Sequence, residues 1–209
     1  MHSLWDILKL MVYHYRRSIW SLRRPPLPRN PDGRVYVHIG AGPLYDKRFI
    51  NIDIQPFKTI HYLSDGRHIN LPSFSVDLIY ASHVIEHFSH RETEAVLSEW
   101  HRLLKPQGEI LISVPDCSKL FQIYNHTKDI DAVKIFLMGS QGNLFDFHYS
   151  IFDITSLTKM LEHVGFVRIK PWAVKDYSDY PFDDYAHYEP TKTLSLSLKA
   201  HKSTSGFPA

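Results

Sequence analysis

Cysteine is almost absent from this sequence, because Cys117 is the only one among 209 residues. A single cysteine cannot form an internal disulfide, and it cannot supply a thiolate cluster for zinc. This scarcity predicts a protein of a reducing compartment, the cytoplasm. No pair of histidines or carboxylates has the spacing of a known ligand motif, so the sequence predicts no metal site.

The sequence also has little excess of positive over negative charge and no long apolar runs. The chain has 24 Lys and Arg against 22 Asp and Glu, a net charge of +2, so its electrostatics do not favour a nucleic-acid partner. No apolar run reaches the length of about 20 residues that crosses a bilayer, and no secretory cleavage signal is evident. The 44% hydrophobic and 22% charged residues are typical of an ordinary globular domain.

The N-terminal segment differs in pattern from the rest of the chain. Between Ser3, a plausible N-cap, and Arg24, apolar residues recur with helical spacing, and the helix end is basic through Arg16, Arg17, Arg23 and Arg24. A proline-rich run at 25–31 then breaks the helix. We expect this helix to pack its apolar stripe on its own domain. The alternative is a basic amphipathic helix that binds a partner or the inner face of an anionic membrane.

Strand and helix patterns alternate after the arm. Strands are predicted at 34–39, 49–53, 59–63, 76–81, 109–114, 166–171 and 193–200, and helices at 89–104 and 155–164. This alternation predicts an α/β fold with a Rossmann-like, doubly wound sheet of seven strands, mostly parallel with an antiparallel last strand. The chain thus divides into an arm (1–31), a domain (32–201) and a flexible tail (202–209).

A glycine turn follows the first strand, as Gly40-Ala41-Gly42. Glycine lets the backbone approach a ligand closely, and Asp53, at the end of the second strand, can accept hydrogen bonds from a ribose. A dinucleotide fingerprint needs a third small residue where this chain has Tyr45. The pattern therefore favours a ligand with a ribose but no pyrophosphate, such as S-adenosylmethionine (SAM).

Two further strand ends carry polar residues. Asp65-Gly66 follows the third strand, where the carboxylate either accepts the adenine amine or caps its own turn. Ser82-His83 ends the fourth strand, at the sheet edge where such folds bind ligands.

Taken together, these segments resemble the class I SAM-dependent methyltransferases, through HIGAGP, NIDI, LSDG, SVDLIYASHVIEHF, EWHRLLKPQGEILISVPD and FDFHYSIFDITSLTKMLEHVGF. More narrowly, the chain is similar to a bacterial group associated with surface-polysaccharide biosynthesis. The resemblance implies that Gly40 and Gly42 face the methionine part of SAM, Asp53 the ribose and Asp65 the adenine, with Ser82 and His83 on the reactive side. The implied cofactor site comprises His38, Gly40, Ala41, Gly42, Asp53, Asp65, Gly66, Ser82 and His83. Gln107 departs from the family's KPGG turn.

Candidate catalytic bases are His83, His87 and His148. We expect His148 to be the base, with His83 the second catalytic candidate, although a histidine that only hydrogen-bonds a loop backbone is an equal alternative for His148. The tyrosine- and aspartate-rich segment 175–189 suits a sugar, or else forms a solvated loop or a contact with the arm or another subunit.

The predicted function is SAM-dependent O-methylation of a sugar or glycan precursor. A methyltransferase for another small molecule and a catalytically inactive binding or scaffold protein remain alternatives.

Overall fold

The computed structural model describes residues 4–22, 25–177, 180, 187–189 and 192–204. Seven strands form one sheet: β1 (Tyr36–Ile39), β2 (Phe49–Asp53), β3 (Tyr62–Leu63), β4 (Val76–Ser82), β5 (Leu104–Pro115), β6 (Phe166–Pro171) and β9 (Ser195–Lys202). Two short strands, β7 (His187–Glu189) and β8 (Lys192–Thr193), pair with each other. The helices are α1 (Leu4–Leu22), α2 (Thr93–Leu103), α3 (Cys117–Thr127), α4 (Asp131–Met138) and α5 (Ile154–Val164), with 3₁₀ turns at Ile85–His87 and Val174–Tyr177.

The strand order is β3-β2-β1-β4-β5-β9-β6. β1 to β5 run parallel, whereas β9 is antiparallel to both β5 and β6. The predicted mostly parallel sheet with an antiparallel last strand is therefore confirmed. The chain order reverses between the neighbouring strands β1 and β4, and the crevice at such a reversal is where doubly wound sheets bind ligands.

One part of the sheet lacks the helices that the alternating pattern predicts. The connections at 40–48, 54–61 and 64–75 contain no helix. Tyr45 lies in the first of these and is 60% exposed, so it does not crowd a helix. Dinucleotide binding was expected to be disfavoured by the bulk of Tyr45. It is instead disfavoured because no helix N-terminus follows β1 to bind a pyrophosphate.

The aromatic segment after β6 covers one face of the sheet in place of a helix. Trp172 is buried with Tyr36, Phe49, Leu78, Tyr80 and Leu111, and Tyr177 and Tyr180 pack against this cluster. Tyr177 also donates a hydrogen bond to Glu109 Oε1, at 2.5 Å. These two tyrosines are therefore part of the packing of the sheet. Residues 178–179 and 181–186 of the predicted sugar loop lie outside the described residues.

Two boundaries differ from the sequence prediction. Lys202, the first residue of the predicted tail, is the last residue of β9, and its buried ammonium group donates to His101 O at 2.6 Å. The segment 105–108, predicted to separate helix and strand, belongs to β5, with Gln107 in the left-handed region at a φ of 65°. Helices α3 and α4 have no counterpart in the sequence prediction. Residues 205–209 are outside the described part of the chain.

Helix α1 lies on the domain through its polar face. Trp20 is buried and donates from Nε1 to Ile60 O at 2.7 Å, and Tyr13 donates to Ile54 O at 3.3 Å. Most of the predicted apolar stripe is exposed, by 40% to 84% at Ile7, Leu8, Met11, Tyr15, Ile19 and Leu22. Of these residues only Leu8 lines a cavity with the domain, beside Phe57 and Phe145, so the expected packing of the stripe on the domain is largely absent among the described residues. No described helix is long and apolar enough to cross a membrane.

Candidate functional site

The glycine turn links the ends of β1 and β2. Gly40 N and Ala41 N both donate to Ile52 O, at 2.9 and 3.1 Å, and Gly42 N donates to Asp53 Oδ2 at 2.8 Å. Gly40 and Gly42 have φ values of 69° and 57°, in the region that favours glycine. Asp53 therefore shapes the turn as well as ending β2.

We expect Gly40→Ala to destabilise the fold by about 2–4 kcal/mol, which combines left-handed strain with overpacking. An added Cβ would lie 2.3 Å from Val84 Cγ2. Gly42→Ala is the matched control, since its Cβ would meet nothing within 4 Å. Gly42→Ala should lower the free energy of unfolding only by the left-handed backbone strain, about 1–2 kcal/mol. Urea unfolding measures both, and equal losses would contradict the role of the Val84 contact.

A first cavity of about 290 Å³ lies at the carboxyl ends of β1 to β4. Its polar lining includes Asp53, Ser64, Asp65, Arg67, His83 and His87. Asp53 is only 8% exposed, and this burial raises the pKa of its carboxyl although hydrogen bonds from backbone N–H groups oppose the rise. The cavity thus has a buried carboxylate at the position where doubly wound folds bind a ribose.

Asp65 is held by a neighbouring arginine. Its Oδ1 accepts from Arg67 N at 3.0 Å, and its Oδ2 pairs with the Arg67 guanidinium at 2.7 Å. Arg67 also bridges to Glu92 and lies 4.8 Å from the Phe88 ring centroid. Asp65 caps its own turn, as the second sequence interpretation predicts, and its side chain also lines the cavity. Arg67 was not among the predicted site residues, although it follows the LSDG motif directly.

His83 is fixed by hydrogen bonds at both ring nitrogens. Nδ1 lies 3.1 Å from Glu86 Oε1, and Nε2 lies 2.9 Å from Ser195 Oγ. Its φ of 54° is rare for a residue with a side chain and indicates a backbone constrained at the site. Burial raises the pKa of Glu86, but the His83 hydrogen bond and the nearby histidines outweigh it, so the net pKa is lowered.

The loop that carries His148 is bound to the 3₁₀ turn after β4. Tyr149 N and Ser150 N both donate to Glu86 O, at 2.8 and 3.1 Å. His87 Nδ1 hydrogen-bonds to Phe147 O at 3.0 Å, and the His87 and His148 ring centroids are 4.8 Å apart. These contacts bring residues about 60 positions apart in the chain to one place.

A second cavity of about 500 Å³ adjoins the first and shares Gly40, His83 and His87 with it. It also contains Ala41, Gly42, Ser82, His148 and Asp146, and two aromatic residues, Tyr80 and Phe136. His38 lies here rather than in the first cavity, and burial lowers the pKa of its imidazole to about 4. Gly66 lines neither cavity, but its carbonyl accepts from Trp100 Nε1 at 3.0 Å. The predicted site residues therefore divide between two connected cavities.

Comparisons with known proteins relate a segment of the sequence and the fold to methyltransferases. Residues 46–112 match the family model of a methyltransferase domain. No curated protein matches the sequence at a significant level. The fold resembles SAM-dependent methyltransferases from Thermotoga maritima (TM-score 0.54, 16% identity, 95% of this chain and 93% of that one) and Archaeoglobus fulgidus (0.52, 15%, 93% and 94%). It also resembles a Haloferax volcanii protein in complex with a methyltransferase activator (0.52, 13%, 97% and 99%). Residues 46–112 are thus similar to a methyltransferase domain, and the chain has the fold of the SAM-dependent methyltransferases.

Proposed function

From the methyltransferase match and the fold, we propose that this protein transfers the methyl group of SAM to a hydroxyl oxygen of a sugar or glycan precursor. The observation that carries the proposal is the junction of the two cavities at Gly40, His83 and His87. A methyl donor in the first cavity and an acceptor in the second would meet there.

The first cavity has the groups that SAM requires. The buried carboxylate of Asp53 can accept hydrogen bonds from the ribose diol, and the turn at Gly40 leaves room for the methionine part. Ser64, Asp65 and Arg67 offer polar contacts for the adenine. When bound, SAM supplies a methyl group that is activated by its sulfonium charge.

The second cavity suits a sugar. Its hydroxyl, imidazole and carboxylate groups, at Ser82, His38, Ser140 and Asp146, can hydrogen-bond sugar hydroxyls, while the aromatic rings offer faces for the C–H groups. The buried Ser82 hydroxyl has no hydrogen-bond partner among the described residues. The polar and aromatic groups of the second cavity support the sugar hypothesis better than the segment 175–189 does.

His148 is the group that takes the acceptor's proton in this proposal. Its Nδ1 donates to Phe136 O at 2.9 Å, so Nε2 carries the lone pair of the neutral ring. Burial lowers the pKa of this imidazole, which keeps it neutral near pH 7. The proton moves from the hydroxyl to Nε2 as the oxygen attacks the methyl carbon, and the methyl–sulfur bond breaks. His83 acts as a positioning residue, because Glu86 and Ser195 occupy its nitrogens.

The test is incubation of the full chain with methyl-labelled SAM and a panel of nucleotide sugars and glycan fragments, followed by mass spectrometry. We expect label on a hydroxyl oxygen of one sugar class. Label on a different small molecule would support methyl transfer from SAM but contradict a sugar as the acceptor. Calorimetry that shows no SAM binding would favour the catalytically inactive alternative.

We also propose that helix α1 holds the protein on an anionic membrane surface. Its exposed apolar face includes Met11 and Tyr15. Arg16 and Arg17 are exposed outside that face, whereas Lys9 is half-buried, and Lys9 and Arg16 line a cavity between the helix and the domain. Such a helix lies in the lipid interface with its apolar side down and its basic residues near the headgroups. Arg23 and Arg24 add positive charge in the sequence but lie outside the described residues.

Met11→Glu and Tyr15→Glu should each weaken binding to phosphatidylglycerol vesicles roughly tenfold, because each places a charge where an apolar side chain contacts lipid. These side chains are 63% and 68% exposed, so the fold should not change. Vesicle sedimentation measures the effect, and Ile154→Glu on the exposed surface of α5 is the control. Dimerisation through α1 without vesicle binding would contradict the membrane proposal.

A further inference from the structure

Three potential metal ligands lie together between the two cavities. Glu86, His87 and His148 each offer one ligand atom, and these atoms all lie within 4.8 Å of one another. The first two are adjacent in the chain, but the third comes from the loop after α4. No spacing rule applied to the sequence would join them.

The two imidazoles make the same kind of hydrogen bond, from Nδ1 to a backbone carbonyl, that metal-bound histidines make. His87 Nδ1 donates to Phe147 O at 3.0 Å, and His148 Nδ1 donates to Phe136 O at 2.9 Å. Because a carbonyl only accepts, each Nδ1 carries the proton and each Nε2 carries a lone pair. A backbone carbonyl on the second nitrogen is the usual arrangement that fixes the tautomer and orientation of a histidine ligand.

Glu86 provides the anionic ligand. Its side chain is 1% exposed, and Oε1 is bound by His83. The other oxygen, Oε2, is buried and has no hydrogen-bond partner within the described part of the chain. An anionic oxygen buried in this way is costly unless a cation or a donor reaches it.

We propose that Glu86, His87 and His148 bind one divalent transition-metal ion, with its remaining coordination positions open to the second cavity. Bonds of about 2.1 Å place tetrahedral ligand atoms about 3.4 Å apart, so the three groups need to close by at most about 1.4 Å. Two imidazoles and one carboxylate favour Zn²⁺, Fe²⁺ or Co²⁺ over Mg²⁺ or Ca²⁺.

In the metal-free protein His148 Nε2 takes the acceptor's proton, as proposed above. In the metal-bound form His148 would be a ligand, and the ion would lower the pKa of the acceptor hydroxyl so that its proton passes to solvent. This catalytic use rests on the methyl transfer proposed above, but binding of the ion does not.

The test uses the full chain and Co²⁺ alone, without SAM or acceptor. We expect a visible absorption spectrum that saturates at one Co²⁺ per chain, confirmed by elemental analysis after dialysis. His87→Ala and His148→Ala should each weaken this binding by more than about 100-fold. His90→Ala and His126→Ala, at exposed histidines outside the cluster, are the matched controls and should bind like the wild type.

Failure of the wild type to bind Co²⁺ at one per chain would overturn the site, as would equal losses in the control variants. Circular dichroism checks the fold of each variant. In the wild type and in the two control variants, but not in His87→Ala or His148→Ala, two histidine rings should show paramagnetically shifted resonances. SAM binding is measured separately by calorimetry, so a protein that binds cobalt but no SAM would contradict the methyltransferase function and leave the metal site standing.

Discussion

Replacing Asp53 by alanine should weaken the binding of SAM by at least about 100-fold. The carboxylate lines the first cavity and accepts from Gly42 N at 2.8 Å, so its loss removes a ribose contact and loosens the glycine turn. Two hydrogen bonds to a charged group contribute about 1.5–3 kcal/mol each, and about 1.4 kcal/mol corresponds to a factor of ten. Isothermal titration calorimetry measures the change.

Two variants make the Asp53 result interpretable. Asp53→Asn keeps the shape and one acceptor oxygen, and we expect an intermediate loss of affinity. Glu162→Ala removes an exposed carboxylate on α5 and should leave SAM binding unchanged. If Asp53→Ala folds normally and binds SAM like the wild type, Asp53 is not part of the cofactor site.

Replacing His148 by alanine should slow methyl transfer by about 100- to 10,000-fold, the usual contribution of a positioned base. SAM affinity should not change, because His148 lines the second cavity and not the first. Single-turnover measurements at saturating SAM separate the two effects, and His90→Ala is the control. Unaffected turnover would exclude His148 from the reaction.

The pH profile gives a further check on His148. Burial lowers the pKa of its imidazole below the ordinary value of about 6.5. Since the neutral ring is the active form, turnover should be retained at pH 7 and fall only as the pH drops below about 6.5. An acid limb above pH 7 would contradict this assignment. If His148→Ala loses turnover but keeps the cobalt site, the residue acts as a base alone.

The sheet and its glycine turn were predictable because both depend on local pattern. Buried parallel strands are apolar at nearly every position, as in β4, and a turn that needs positive φ selects glycine, as at Gly40. The positions of Asp53 and His83 at strand ends were predictable for the same reason, since Asp53 is the last residue of β2 and His83 follows β4. Helices α3 and α4 were missed although sequence signals were available, because Asp116 caps the start of α3 and Gly139 ends α4.

The orientation of the arm was not predictable from its periodicity. The sequence indicates an apolar stripe on α1 but not which side meets the domain, because a hydrophobic stripe is equally compatible with a core, a partner or a lipid surface. The hydrogen bonds of Tyr13 and Trp20 show which side of α1 meets the domain, and both residues lie on the polar face of the helix.

The seven-stranded α/β fold, the glycine turn and the acidic residue at the end of β2 follow from local conformation and strand order, so they could be predicted from the residues alone. Three other features could not: two cavities meet at His83 and His87, Tyr177 and Tyr180 cover the sheet, and Glu86, His87 and His148 converge. Each of these depends on contacts between segments far apart in the chain, and no local periodicity records which segments will meet.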